Sequence, residues 1–334
     1  MTFVLLAIVP VTIAILYVLV QRTKHDKTQL LSHVVVTGGS SGIGLSIAQE
    51  LVKIQAKKIT LIARGEDKLK QARDMLNDLA KSYTDEKKTL NGTEIGFVSL
   101  DVSNEDEVNK KLTPILKESP PTMLFNVAGT SISGYVESTP SRMYESLMRI
   151  NYLGTVNITR VCLPFMRGGE GAAIAVTSSA AGQVGVFGYT AYSPSKFALS
   201  GFVEALSMEV LADKVSVTIA FPPDTDTPGY KEEQKCKPKE TDLISDAAGL
   251  FKPEDIARKM IKATLGGQYT VYWGLEGWML ATLTAGMGPV TNMVDALCQI
   301  FLMGLLRFIS LFYLMSFRGI IAKCKKEREQ EKTE

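Results

Sequence analysis

A tyrosine and a lysine four residues apart, Tyr192 and Lys196, stand in the run Ala191-Tyr192-Ser193-Pro194-Ser195-Lys196. On a helix, that step places both side chains on one face. A Lys ammonium beside a phenol favours the phenolate and draws its pKa down from about 10 toward working pH. Tyr192 is then a general acid for a ketone oxygen, or a base for an alcohol. The pattern alone is common on solvated helix faces, so its weight comes from what precedes it. Tyr189 is near enough to compete for the acid role, but no Lys follows it four residues on, and it reads as a pocket or structural aromatic.

Composition removes several other chemistries. The 334 residues include two histidines, His25 and His33, both at or before the first expected strand, which excludes most His-based catalysis and most zinc sites. No metal is expected. The 37 Lys+Arg against 35 Asp+Glu leave no excess charge for a nucleic-acid partner. Cys162, Cys236, Cys298 and Cys324 show neither paired metal spacing nor a disulfide framework, which suits a reducing, cytosol-facing core.

The elements that must position Tyr192 and Lys196 alternate strand and helix. His33–Thr37 reads as a buried strand, followed by the turn Gly38-Gly39-Ser40-Ser41-Gly42-Ile43-Gly44 and a helix through Leu51. Glycines there let the backbone approach a pyrophosphate sitting on the helix N-terminus. Gly38, Ser40, Ser41, Gly42, Ile43 and Gly44 are therefore expected to hold a dinucleotide. Gly38-x-Ser40-x-Gly42 also fits a hydrolase nucleophile elbow, but that chemistry needs a later His, and none follows His33.

Lys58–Ala63 forms the second strand, with Arg64 immediately after it and Lys68 one turn further. An acidic residue near this place binds the ribose 2′-hydroxyl of NAD, whereas an Arg accommodates the 2′-phosphate of NADP, so the expected cofactor is NADPH/NADP+. A third strand, Ile95–Leu100, ends at Asp101-Val102, placed to touch an adenine ring. Thr122–Asn126 is the fourth strand and turns through Val127, Ala128 and Gly129.

A long helix over about 140–166 carries Asn151 near its middle, where Asn is a poor helix former. A fifth strand, Ala172–Thr177, leads to Ser178 and Ser179; the Tyr192 helix runs to about Leu211; strands follow at Val215–Ala220 and about 269–273. This alternation predicts an α/β fold, a Rossmann-type doubly wound parallel sheet. Between them, 221–250 reads as a polar stretch without clear secondary structure, a substrate lid. Its Lys231, Lys235, Lys237 and Lys239 interleave with Glu232, Glu233 and Glu240, as in a solvated loop.

Both ends of the chain read as membrane-associated. Residues 1–21 carry no formal side-chain charge and are just long enough to span a bilayer. No Lys or Arg precedes the apolar run and no small-x-small site follows, which favours an anchor over a cleaved signal. Arg22, Lys24 and Lys27 follow it and place the next residues in the cytosol. Residues 277–294 and 296–317 are near spanning length, as a hairpin or as one spanning and one re-entrant segment, and Lys323, Lys325, Lys326 and Arg328 mark a cytosolic tail. The expected divisions are an anchor at 1–21, a catalytic domain at 31–273, a membrane hairpin at 274–318 and a charged tail at 319–334. Asn91-Gly92-Thr93 is a glycosylation sequon that matters only on a lumenal face.

Taken together, Thr37-Gly-x-x-x-Gly-x-Gly44, Asn126-x-Ala-Gly129, Asn151, Ser179 and Tyr192-x-x-x-Lys196 resemble the short-chain dehydrogenase/reductase family over about residues 31–270. Ser179 precedes Tyr192 by thirteen residues, the separation that the family uses, and is preferred to Ser178. The resemblance implies a catalytic set of Asn151, Ser179, Tyr192 and Lys196. In it Tyr192 protonates a carbonyl oxygen as hydride arrives. Lys196 lowers the Tyr192 pKa and holds the nicotinamide ribose, Ser179 orients the carbonyl, and Asn151 holds a water linking Lys196 to solvent. Asn126, Ala128 and Gly129 steady the sheet beside the cofactor.

The lid departs from the family's commoner Pro-Gly start, with Pro222-Pro223-Asp224 in its place, and is similar to that of members acting on a long-chain lipid ketone. Such a substrate resides in the bilayer, and the resemblance implies the cytosolic face of the endoplasmic reticulum membrane. Steroid or acyl-CoA ketones would use the same chemistry. A non-catalytic dinucleotide-binding membrane scaffold would be expected to have lost a motif residue, and none is missing. Many relatives pair through the helices of Asn151 and Tyr192, so a homo-oligomer is possible.

Overall fold

The computed structural model describes residue 20 and residues 25–87, 92–246 and 249–331. The expected anchor, residue 20 apart, and Asn91 lie outside the described residues.

Seven strands form one wholly parallel sheet in the order β3-β2-β1-β4-β5-β6-β7. They are β1 His33–Thr37, β2 Lys58–Ala63, β3 Glu94–Ser99, β4 Met123–Asn126, β5 Ala172–Thr177, β6 Val215–Phe221 and β7 Thr270–Tyr272. A strand alternates its side chains between faces, and a sheet covered on both faces needs apolar residues at every position. β1 meets that demand, with all five residues buried. Val34 and Val36 pack toward Ile47 and Leu51 of α1 (Gly42–Lys53) and Met260 of the helix Pro253–Leu265. Val35 packs on the other face, toward Leu112, Ile158 and Leu199.

The strand order reverses between β1 and β4, where an open α/β sheet forms its crevice. Thr37 closes that point: its Oγ1 accepts hydrogen bonds from the backbone N–H groups of Val127 (2.9 Å) and Ala128 (3.0 Å). Both histidines are used elsewhere. His33 begins β1, at the opposite end of the sheet from the crevice, and its ring bonds Ser119 O and Thr60 Oγ1. His25 bonds Ser216 Oγ.

Further helices complete the layers: α2 Glu66–Lys87, α3 Glu105–Glu118, α4 Ser141–Leu147, α5 Gly154–Met166, α6 Tyr192–Glu209, α7 Pro228–Gln234, α8 Lys239–Ser245, α9 Pro253–Leu265, α10 Gly274–Leu283 and α11 Met293–Glu331. Two of them differ from the sequence expectation inside the catalytic unit. The helix expected over 140–166 is interrupted by a π-helical turn, Met148–Leu153, with Asn151 in it. The lid expected to lack secondary structure contains α7 and α8. Thr227 caps α7 by accepting from Tyr230 N, and Pro228 follows as its first residue. Backbone bonds from Asp226 N to Phe251 O and from Phe251 N to Asp224 O (both 2.9 Å) close the base of this excursion.

The C-terminal region differs as well. In place of two near-spanning segments, 274–318 holds the ten-residue α10 and the first part of the 39-residue α11. α10 stops at Leu283 because Gly286 (φ +55°), Gly288 and Pro289 follow, and proline cannot supply a helical N–H. Among the described residues, α11 alone is long and apolar enough to cross a membrane. The charged stretch from 319 onward continues that helix to Glu331.

Both ends of α11 touch the catalytic unit. Near its start Tyr272 Oη donates to Asp295 Oδ1 at 3.1 Å. Near its end Arg328 pairs with Glu240, a wholly buried carboxylate of α8, and Lys239 pairs with Glu327 at 2.9 Å. The helix therefore runs along the domain. Phe301, Leu305, Phe308, Phe312 and Met315, at steps of three and four, form an exposed apolar stripe on its outer side.

Candidate active site

At the C-terminal ends of the strands lies a cleft of about 740 Å³. Five stretches expected to act together meet there: the β1 turn, the segment after β4, Ser179, the start of α6, and the lid. Gly38, Ser41, Gly42, Ile43 and Gly44 line one end, Ala128 and Gly129 the floor, and Ser179, Tyr192 and Lys196 the middle.

The glycine turn is built for close approach. Gly38 and Gly42 have φ of +69° and +54°, and a Cβ on Gly44 would lie 2.3 Å from Gly38 O. Ser41, the N-cap of α1, makes no side-chain capping bond, so the N–H groups of that helix end remain for a ligand. An anionic phosphate suits such an end. A Cβ on Gly129 would crowd Asn151 Oδ1 (3.1 Å) and Lys196 Nζ (3.4 Å), so a side chain in the floor would press on both polar groups. These residues fit a dinucleotide.

The remaining expected cofactor residues stand outside the cleft lining. Ser40 is within the turn, and Arg64 and Lys68 are exposed beyond the end of β2. Asp101 and Val102 follow β3. Asp101 accepts from Ser103 N at 2.9 Å, and Val102 O accepts from Asn157 Nδ2 at 3.0 Å. Asn126 is buried behind the site and donates to Thr159 Oγ1 at 3.0 Å.

Tyr192 and Lys196 share one face of α6, with Lys196 Nζ 5.8 Å from the tyrosine ring centroid. Burial governs both. It pushes the Tyr192 phenol well above its ordinary pKa; an interaction with Ser179 opposes this, and Glu233 and Asp224 add to it. The expected lowering by Lys196 is not among the influences on the phenol, and burial draws the lysine itself down, to about 8. The phenol accordingly holds its proton at neutral pH, the form that reduction of a ketone consumes. Lys196 Nζ donates to Thr177 O at 3.0 Å.

The two serines divide cleanly. Ser178 is buried and donates to Lys196 O at 3.0 Å, a structural task. Ser179 lines the cleft; its Oγ accepts from Ala181 N at 3.2 Å, and its hydroxyl meets the Tyr192 phenol, so both groups address one point in the cleft.

Asn151 ties two segments of the site together. Its Oδ1 accepts from Thr130 N (2.8 Å), while Nδ2 donates to Thr130 O and to Ser195 Oγ (both 2.9 Å). Both amide hydrogens are thus used, and the side chain pins the segment after β4 to α6. Ser195, fully buried, passes the tie on by donating to Tyr192 O at 2.7 Å. Its position three residues after the tyrosine was the available signal.

The lid supplies what sequence reasoning missed. Glu233 was read as part of a solvated loop, yet it enters the cleft and accepts from Ser131 and from Tyr189. Tyr189 is thereby occupied as a donor to a carboxylate, and burial together with Glu233 raises its pKa, consistent with a pocket aromatic. Lys237, of the same loop, has a buried side chain paired with Asp224 at 3.0 Å. The opposite wall comes from α10 and α11 and is largely apolar, with Met279, Leu280, Leu283, Leu314 and Phe317 beside the charged Glu276 and Arg307.

Comparison with known proteins agrees with this geometry. A family profile described as short chain dehydrogenase matches residues 32–237. The 3-dehydrosphinganine reductase of Danio rerio is 46% identical over 299 residues, 90% of this chain and 88% of its own. The 3-ketodihydrosphingosine reductase of Mus musculus is 47% identical over 293 residues, covering 88% and 86% respectively. Among solved structures, L-sorbose reductase from Gluconobacter frateurii, complexed with NADPH and L-sorbose, superposes with a TM-score of 0.59 at 24% identity, covering 72% of this chain and 94% of that one.

Proposed function

The chain belongs to the short-chain dehydrogenase family, and on that premise we propose that it reduces the ketone of 3-ketosphinganine to the alcohol of sphinganine, with NADPH as reductant, at a membrane. The observation that carries the reading is a half-buried Tyr192 beside Ser179 in a cleft with a dinucleotide-shaped end and a largely apolar wall.

When bound, the nicotinamide supplies the hydride that reduces the carbonyl carbon. Gly38, Ser41, Gly42, Ile43 and Gly44 hold the pyrophosphate end, and Lys196 holds the ribose. Tyr192 gives its proton to the carbonyl oxygen. The Ser179 hydroxyl, fixed by Ala181 N, donates to the same oxygen and stabilises the charge that develops on it, a one-donor oxyanion hole. Asn151 and Ser195 are positioning residues that hold Thr130 and the start of α6 in register.

The preference for NADPH rests on Arg64, with Lys68 near it, at the end of β2 where a 2′-phosphate is read. An acyl-CoA ketone is less well supported, because the basic residues its phosphates would use are paired: Lys231 with Asp226, Lys235 with Glu232, Lys237 with Asp224 and Lys239 with Glu327.

The outer stripe of α11 lies in the bilayer and its inner side lines the cleft, so a lipid ketone enters without full transfer to water. The reading puts the domain on the cytosolic side of the endoplasmic reticulum membrane; the basic residues after the apolar N-terminal run support the cytosolic side. Mass-spectrometric detection of sphinganine formed from 3-ketosphinganine and NADPH by membranes holding the full chain tests the assignment. NADPH binding without product contradicts it.

A further inference from the structure

We propose that Glu233 is the counter-ion for a protonated amine carried by the substrate on the carbon next to the reacting ketone. The inference rests on the reaction above, whose substrate bears a primary amine at that carbon.

Three separate segments deliver this carboxylate. Helix α7 carries Glu233, the segment after β4 brings Ser131, and the approach to α6 brings Tyr189; both hydroxyls donate to it. These donors are neutral. Among the described residues Glu233 forms no ion pair, whereas Asp224, beside it in the lid, is matched by the buried Lys237; the third carboxylate of the cleft, Glu276, belongs to α10 on the opposite wall. A half-buried carboxylate offers about four acceptor positions, of which the two hydroxyls use two. A cation that takes up the others compensates the loss of water around the charge.

The placement is that of a group beside the reacting bond. Tyr189, which holds Glu233, has its ring 5.2 Å from that of Tyr192. The field of Glu233 reaches the Tyr192 phenol. On the opposite wall Leu280, Leu283, Leu314 and Phe317 provide apolar surface for a hydrocarbon chain. An amphiphile is thus fixed at three places, with its amine at Glu233, its ketone at Tyr192 and Ser179, and its chain along α10 and α11. Fixing a substrate on both sides of the reacting carbon is what sets its orientation.

The test measures kcat/KM of the full chain, in membranes, for 3-ketosphinganine and for the same ketone lacking the amine. Wild type, E233Q and E233D are compared. The wild type should favour the amine-bearing ketone by about 10- to 100-fold, the range for a charge-assisted hydrogen bond. E233Q should bring that ratio close to one, chiefly through KM, and E233D should retain part of it. An unchanged ratio in E233Q, or equal loss on both ketones with NADPH binding intact, overturns the proposal. If E233Q fails to fold, the wild-type ratio decides, and a value near one overturns the proposal. A wild type that reduces both ketones equally defeats only the role of Glu233. One that reduces neither defeats the assigned reaction and the proposal with it.

Discussion

Asn151, in the π-helical turn, and Ser195, in the helix that carries Tyr192, are joined side chain to side chain at 2.9 Å. The same serine donates to the tyrosine's own carbonyl at 2.7 Å, so the segment after β4 and the start of α6 move as one piece. A π turn widens the helix by one residue and commonly marks a functional site. Here it accompanies an asparagine whose amide is entirely engaged.

Ser195→Ala removes both bonds of that link and leaves an amide donor of Asn151 buried without its partner. The expected cost is about 1–3 kcal/mol in stability. kcat should fall by about 10-fold or more through misplacement of Tyr192, with NADPH affinity little changed. Chemical denaturation and steady-state kinetics check the two parts. A loss of stability without a loss of kcat would show that the link supports the fold alone.

Lys196 carries a pH signature opposite to that of a paired lysine. Burial draws its pKa from 10.5 to about 8, so between those values the unfolded chain binds more protons than the folded one, and stability rises with pH. Below pH 8 the ligand-free protein bears the full cost of burying the charge. Lys196→Met should abolish turnover yet unfold at a higher denaturant concentration than wild type at pH 7, with the gap closing toward pH 10. A constant gap across that window would contradict the account.

Arg328 fastens the end of α11 to the lid through Glu240 and stacks over Tyr135 at 5.3 Å. Arg328→Ala leaves a buried carboxylate without its cation. The C-terminal turns should then become open to limited proteolysis at Lys323–Lys326, and KM for a lipid ketone should rise because Leu314 and Phe317 line the cleft. Unchanged cleavage and KM would show that the clamp is dispensable.

Arg64→Ala should raise KM for NADPH by about 10-fold or more and leave KM for NADH nearly unaltered, the loss expected for one charge-assisted contact to a phosphate. Equal effects on the two cofactors would remove Arg64 from recognition of the 2′-phosphate.

The parts of the molecule legible in the sequence are those fixed by local pattern. β1, β2 and β5 start and stop where their apolar runs do, since a strand covered on both faces admits few polar residues. The glycine turn was legible from Gly38, Gly42 and Gly44, the last of which tolerates no Cβ, and Ser179 was preferred to Ser178 because it precedes Tyr192 by thirteen residues, the separation of the family that the chain resembles. The π turn was not: in Met148–Leu153 Asn151 stands out as a poor helix former, but that does not distinguish a π turn from a polar position on an ordinary helix. The lid helices had a signal in Thr227-Pro228, a cap followed by a first-turn proline, which the density of charge around it obscured. That charge also hid Glu233 and Glu240: alternating Lys and Glu resemble a solvated loop until the packing turns one carboxylate into the cleft and buries another. In the same way, the apolar composition of 277–294 suggested a spanning segment, while the glycines and proline after Leu283 limited it to a short helix.

The most direct measurement is NADPH oxidation by membranes carrying the full chain, given 3-ketosphinganine, for wild type beside Tyr192→Phe. The account predicts turnover in the wild type and a loss of about 10²–10⁴-fold or more in the variant, the contribution of a positioned general acid, with NADPH still bound by both. Equal turnover in the two proteins would contradict the role of Tyr192, on which the rest of the mechanism depends.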